Sequence, residues 1–366
     1  MEPNPPVTDP PYLSSSYRLE GPGKDSQKYL YRRYGNPTRE KLEESIADLE
    51  AGNHGFCYSS GTAAISSVLF ASTDPGDRVV AADNLYAGTH SMLENFFSPR
   101  YGTDLRYVDP TDLDEIEDAV DDGTSLVFME SMSNPLLKIP EVWEVAKITR
   151  EQDAVLAIDN TFVTPVNFKP LRYGADVAIE STSKYINGHT DVVGGSVVTD
   201  DGDLSEVLGF QQTTAFGNIQ SPSDCYRTLC GMKTLRERMR KHQKNAGTVV
   251  ETLEDHPGTE SVLYPGDENH PQHRLASELF EGYSGIVSFE LSDKDSCVRF
   301  LENLEVIIHA TSLGGVESLA EHPGSLAGET EGESVPGTLV RISVGIENTD
   351  ELTEDVEQAL DKATDC

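Results

Sequence analysis

The chain predicts a two-part fold: an α/β part built on a mostly parallel sheet, followed by a smaller α+β part at the carboxy terminus. Three observations point there. At 366 residues it exceeds the roughly 250–300 residues at which one hydrophobic core stops growing. From about residue 45 to 200, short β-rich apolar runs alternate with longer helical patterns, the signature of parallel strands with helices on both faces. Beyond residue 223, strand and helix patterns mix without that alternation.

The start is proline-rich (Pro3, Pro5, Pro6, Pro10, Pro11) and reads as an extended arm. Ser59-Ser60-Gly61 then leads into a helical pattern over 62–72. The strand candidates are 78–82, 126–130, 154–158, 176–179 and 195–198, with a helix over 141–152 carrying Val142, Val145, Ala146 and Ile148 at helical spacing. Glu130 closes one strand candidate and Asp159 follows another. In open α/β sheets ligands collect at those carboxyl ends. A single polar helix is expected over 223–255, with Leu229, Met232, Leu235, Met239 and His242 along one side, as the bridge to the second part. Strands are expected over 285–291, 305–310 and 339–344, a loosely ordered loop over 324–337, and an acidic helix over 350–362. The division read from this is an arm over 1–45, a cofactor-binding domain over 46–222 and a carboxy-terminal domain over 223–366.

Charge narrows the class of function. The 63 acidic residues against 28 basic ones give a formal net charge of −35, which argues against nucleic acid as a partner. Such a surface repels itself at low ionic strength, and molar salt, with a Debye length of about 3 Å, relieves that repulsion. The readings are a halophilic source or a merely acidic protein. No stretch approaches the ~18 apolar residues of a membrane helix, so no membrane partner is expected. The start has neither a basic region nor an apolar stretch, which leads to a cytoplasmic expectation. Five scattered cysteines (Cys57, Cys225, Cys230, Cys297, Cys366) fit a reducing compartment. His270 and His273 lack further ligands at metal spacing, so no metal is expected.

Two residues carry the chemistry. Lys184 stands in Ser181-Thr182-Ser183-Lys184-Tyr185-Ile186-Asn187-Gly188-His189, and Asp159 ends an apolar run upstream. A lysine amine that condenses with an aldehyde, and an aspartate that keeps a pyridine nitrogen protonated, together point to pyridoxal 5'-phosphate. Among small polar residues between apolar strands, a desolvated Lys184 amine becomes nucleophilic. Gly61 and Thr62, at a helix start, present free N–H groups to a phosphate, with Ser181 and Ser183 as hydroxyl donors. Tyr86, after the strand over 78–82, is placed to stack on a ring. Each has a plainer reading: a helix cap for Ser60-Gly61, a loop tyrosine for Tyr86, a surface amine for Lys184, a turn cap for Asp159.

In order along the chain, these motifs resemble the Cys/Met-metabolism pyridoxal phosphate enzymes, the group of cystathionine γ-synthase, cystathionine γ-lyase, methionine γ-lyase and the homoserine-ester sulfhydrylases. The likeness runs from Tyr31-Arg32-Arg33-Tyr34-Gly35-Asn36-Pro37-Thr38 to Arg341-Ile342-Ser343-Val344-Gly345-Ile346-Glu347. It implies the aminotransferase-like architecture (PLP fold type I), with Lys184 as the amine that holds the cofactor and moves protons, Asp159 as the pyridine partner and Tyr86 as the stacking ring. It further implies that Tyr31 and Arg33 reach a neighbouring subunit's phosphate, so that the active unit is at least a homodimer and the assembly a homotetramer. Asn134 and Arg341 are implied to hold the carboxylate of an amino-acid substrate, and Ser312 to lie against Lys184.

Departures from the family pattern bear on substrate choice. Gly88 stands where methionine γ-lyases tend to have cysteine, and Thr311 where cystathionine γ-synthases and γ-lyases usually have glutamate. The Met-Thr-His expected after His322-Pro323-Gly324-Ser325 is missing. Gly314-Gly315-Val316-Glu317-Ser318-Leu319 favours the cystathionine γ-synthase or γ-lyase branch. O-acetylhomoserine sulfhydrylase or methionine γ-lyase stand as alternatives, and a non-catalytic descendant as the reading from another class.

Overall fold

A computed structural model describes residues 4, 6–19, 21, 27–326 and 335–364. Pro3 and Pro5 of the expected arm, Cys366 and most of the expected loop over 324–337 lie outside the described residues. Among the described residues, twelve strands form two sheets. The larger holds β1 (His54–Tyr58), β2 (Arg78–Ala82), β3 (Asp104–Val108), β4 (Thr124–Glu130), β5 (Val155–Asp159), β6 (Val177–Glu180) and β7 (Gly195–Thr199), in the order β1-β7-β6-β5-β4-β2-β3. Pairs from β3 through β6 are parallel, while β7 is antiparallel to both its neighbours. The mostly parallel α/β expectation therefore holds. The smaller sheet, with β8 (Thr259–Leu263), β9 (Ile286–Leu291), β10 (Ile308–His309), β11 (Leu319–Glu321) and β12 (Leu339–Ser343), runs β10-β11-β12-β9-β8.

Helices α1 (Pro37–Glu50), α2 (Gly61–Ser72), α3 (Ala87–Met92), α4 (Leu113–Ala119), α5 (Val142–Glu151), α6 (Thr164–Asn167) and α7 (Gly202–Phe210) accompany the larger sheet. Asn36 starts α1, its side chain accepting from the N–H groups of Thr38 and Arg39 at 3.0 and 3.2 Å, with Pro37 in the first turn, where its missing N–H is harmless. α1 thus runs through position 45, where the sequence reading ends the arm.

The helix expected over 223–255 is two helices, α8 (Pro222–Met232) and α9 (Leu235–Asp255). Thr234 leaves helical geometry between them at φ −112° and ψ 1°. Arg238 explains the joint: its guanidinium takes the carbonyl of Gly231 at 3.0 Å, together with those of Tyr185 at 2.7 Å and Ile186 at 3.2 Å. A continuous helix would carry Arg238 along its axis instead of folding it back onto the Lys184 segment.

Two apolar clusters flank this pair of helices. One surrounds the larger sheet and takes in Leu235 and Met239; the other joins Ala246, Val249, Val250 and Leu253 of α9 to Val287, Phe289, Val340 and Ile342 of the smaller sheet. α10 (His273–Leu279), α11 (Lys294–Asn303), α12 (Pro323–Leu326) and α13 (Thr349–Thr364) complete the chain. α13 buries Leu352, Val356, Ala359, Leu360 and Ala363, a stripe at helical period. Each full-sized member stabilises by roughly 1.5–3 kcal/mol, while its acidic face meets solvent. Asp355, buried on the same helix, accepts from the N–H groups of Glu305, Val306 and Ile307 at 2.8–2.9 Å. That capture diverts three donors from sheet pairing, and the strand expected over 305–310 shrinks to Ile308–His309.

Candidate active site

A cavity of about 660 Å³ opens where the carboxyl ends of β4, β5 and β6 face the edge of the smaller sheet. Parallel strands bring Glu130 and Asp159 directly side by side. Asp159 Oδ1 accepts from the Thr161 N–H at 3.0 Å and its hydroxyl at 2.5 Å, which leaves Oδ2 for a group entering the cavity. Burial pushes the Asp159 carboxyl up, against those hydrogen bonds. Glu130 accepts from the Tyr86 N–H at 2.7 Å; burial, with Asp159 adding repulsion, pushes it up to about 8.

Lys184 lies in a tight segment after β6, anchored by Arg238 from behind. Gly188 ends it at φ +73°, and a Cβ there would meet the Arg238 guanidinium at 2.0 Å, so only glycine fits. The Lys184 Nζ donates to Ser312 Oγ at 2.7 Å. Burial pushes this amine down, Arg341 adds to that, and Glu321 opposes it. The outcome is an amine that gives up its proton more readily than an ordinary lysine.

The smaller sheet supplies the opposite wall. Arg341 on β12 stands opposite Glu321 on β11. Its Nη1 donates to Asn134 Oδ1 at 2.7 Å, and its Nη2 meets Ser312 O and Glu321 Oε1, both at 2.9 Å. Among the described residues Nε meets no partner, which leaves this buried fork one donor for an incoming anion. Burial pushes the guanidinium down and Glu321 opposes that. Ser312 is held at φ +95°, a strained position for a serine, with its hydroxyl on Lys184 and its carbonyl on Arg341. Asn134 precedes a cis peptide bond to Pro135, whose carbonyl accepts from Ser288 Oγ on β9 at 2.7 Å.

The structure brings Gly61, Thr62, Tyr86, Asn134, Asp159, Ser181, Ser183, Lys184, Ser312 and Arg341 around this one cavity. Tyr31 and Arg33 do not line it. Tyr31 is half-exposed and bridges Ser16, and Arg33 donates to the Thr213 carbonyl and, at 3.1 Å, to Tyr34 Oη.

The donor set fits pyridoxal phosphate. The opening turn of α2 offers its unpaired N–H groups, Ser60 Oγ having taken that of Ala63. A Cβ on Gly61 would press on Ser181 at 3.1 Å, and one on Gly195 would strike Ser60 O at 2.3 Å, so both glycines keep this cradle open. A buried carboxylate for a ring nitrogen and a desolvated amine for an aldehyde complete the set.

Three contributors escaped the sequence reading. Thr161 had an available signal, since a hydroxyl two residues after a strand-end aspartate is a common turn partner. Glu321 and Arg238 had none, because each finds its partner through tertiary pairing.

The model of the family described as "Cys/Met metabolism PLP-dependent enzyme" matches residues 3–361. The chain is 42% identical over 362 residues to a protein of Mycobacterium tuberculosis named cystathionine gamma-synthase, covering 97% of this chain and 92% of that one. It is 39% identical to one of Lactococcus lactis subsp. cremoris named cystathionine beta-lyase, covering 97% and 94%. Among solved structures, cystathionine gamma synthase from Xanthomonas oryzae pv. oryzae in complex with cystathionine superposes with a TM-score of 0.94 at 39% identity, covering 98% of this chain and 93% of that one.

Proposed function

The chain belongs to the Cys/Met metabolism PLP-dependent enzymes, and from that premise we propose that it acts at the γ-carbon of cystathionine or of an activated homoserine, as a cystathionine γ-synthase or γ-lyase. The observation that carries this reading is the arrangement in which Ser312 holds the Lys184 amine through its hydroxyl and Arg341 through its carbonyl. An α-amino acid gripped at its carboxylate by Arg341 and Asn134 is thereby presented to Lys184 by one shared support.

Bound pyridoxal phosphate supplies an electron sink that acidifies the substrate's α-proton. Lys184, its proton affinity lowered by burial, takes that proton and relays protons at the neighbouring carbons. Asp159 Oδ2 would hold the ring nitrogen protonated, and Tyr86 would stack on the ring. Gly61, Thr62, Ser181 and Ser183 would hold the phosphate, with Tyr31 and Arg33 reaching it from a neighbouring subunit. That assigns residues 1–45 to an arm, 46–222 to cofactor binding and 223–366 to the substrate wall, in an assembly of two active dimers. We assign it to the cytoplasm, and the net charge of −35 to a halophilic setting. Dialysis from molar to millimolar salt then lowers stability; indifference to salt removes that assignment.

A second reading, β-elimination, is favoured by the relatives named cystathionine beta-lyase. Product identification in molar potassium chloride separates the readings. From L-cystathionine, γ-elimination yields cysteine, 2-oxobutyrate and ammonia, and β-elimination yields homocysteine, pyruvate and ammonia. An acylated homoserine with cysteine yields cystathionine if γ-replacement is the reaction. Inertness toward both, with cofactor bound, overturns the proposal.

A further inference from the structure

Glu50 ends α1 and Glu180 ends β6, and the two are 0% and 2% exposed. Among the described residues no donor makes a well-formed hydrogen bond to either carboxylate oxygen of Glu50, or to Oε1 of Glu180. The two carboxyl groups instead lie within hydrogen-bonding reach of each other, with the Asn160 side chain against both. The titratable groups facing them are Asp159 from β5, which repels Glu180, and Lys169 beyond α6, which attracts Glu50 while donating its amine to the Leu49 carbonyl. Two ionised carboxylates cannot share a dry site at this separation, and the geometry has a place for one proton between them.

The pair lies beneath the joint of β5 and β6. Glu180 directly precedes Ser181, and Asn160 directly follows Asp159. The Asn160 N–H binds the Ile179 carbonyl and the Ser181 N–H binds Thr161 Oγ1, both at 2.8 Å. We propose that Glu50 and Glu180 hold a single proton between them and that this shared proton makes Glu180 a positioning residue, fixing Asp159 and Ser181 where they receive the cofactor. The proposal rests on the reading of Asp159 and Ser181 as cofactor ligands.

Burial pushes Glu50 up to about 7 and Glu180 in the same direction. Both groups bind a proton more tightly folded than unfolded. Their stabilisation is therefore complete below the ordinary glutamate range and is lost as pH rises through about 7 and beyond.

Glu180→Gln keeps a donor for Glu50 and carries no proton to lose. Thermal unfolding of cofactor-loaded protein, from pH 6 to pH 9 in molar potassium chloride, is expected to show the variant matching the parent at pH 6 and exceeding it by about 2 °C at pH 9. Affinity for pyridoxal phosphate, read from visible absorption, is expected to fall over that range about tenfold more in the parent than in the variant. Glu50→Gln repeats the test should the first variant fail to fold. Parallel pH profiles, or melting that follows potassium concentration at fixed ionic strength and pH, overturn the shared proton. A melting difference without the affinity difference overturns the positioning role. Neither readout needs turnover, so failure of the assigned reaction is seen separately.

Discussion

The two walls of the cavity hold their acids in opposite ways. On the wall of the larger sheet, Asp159 and Glu130 meet only amide and hydroxyl donors, and burial raises the proton affinity of both. On the wall of the smaller sheet, Glu321 is ion-paired with the buried Arg341 fork across adjacent strands. The first wall holds acids that no cation meets among the described residues, which a cationic ring nitrogen would compensate. The second is compensated as it stands, and a carboxylate that bound there as proposed would share Arg341 with Glu321. Each wall is thus prepared for charge that only a bound molecule brings, one by lacking a cation and the other by lending one.

Lys184 joins the walls, and its removal is expected to have the largest effect. Lys184→Ala should lower kcat by about 10³-fold or more, and borohydride should no longer fix the cofactor to the protein; covalent fixation at the parental level rejects the assignment. Next comes the compensated wall. Arg341→Ala strands Glu321 and should lower kcat/KM by roughly 10²–10³-fold, about 3–4 kcal/mol. Adding Glu321→Gln should return part of the lost stability, and strictly additive losses in the double variant would mean the two are uncoupled.

On the uncompensated wall the expected effect is one of pH. Glu130 is raised to about 8, so its contribution is complete below its unfolded range and fades as pH rises through 8. Glu130→Gln should flatten that part of the stability profile between pH 7 and 9, by about 2–4 °C in Tm; an unchanged slope would show that Glu130 is already ionised at pH 7. Smallest is Thr161→Val, which removes a donor to Asp159 and the acceptor of the Ser181 N–H, at about 1–2 kcal/mol together, and should weaken cofactor affinity about tenfold by absorption titration.

The wall of the larger sheet was the legible one. The strand over 78–82 matches to the residue and four others to within one or two, because central strands buried on both faces are continuous apolar runs and the helices between them keep their period. Asp159 and Lys184 could be found from strand ends and a local motif. The edge strands β1 and β3 escaped, since half-exposed edges carry a weaker apolar signal. The other wall was less legible for a different reason. Arg341 and Ser312 came from family likeness, but the pairing of Glu321 with Arg341 depends on a register between β11 and β12 that no local pattern encodes. The break between α8 and α9 likewise depends on Arg238 finding carbonyls some fifty residues upstream.

α9 belongs to both apolar clusters, its first two turns packing with Leu235 and Met239 on one and its last three with Ala246, Val249, Val250 and Leu253 on the other. Between them His242 and Asn245 bind the carbonyls of Val344, Gly345 and Glu347, just past Arg341. For anyone cutting this chain into modules, the seam cannot lie at the end of α9. A fragment starting at residue 256 would strip α9 from the layer it forms with α11 and α13 over β9 and β12, and one starting before Leu235 would carry a raw apolar flank that only the other half can hide.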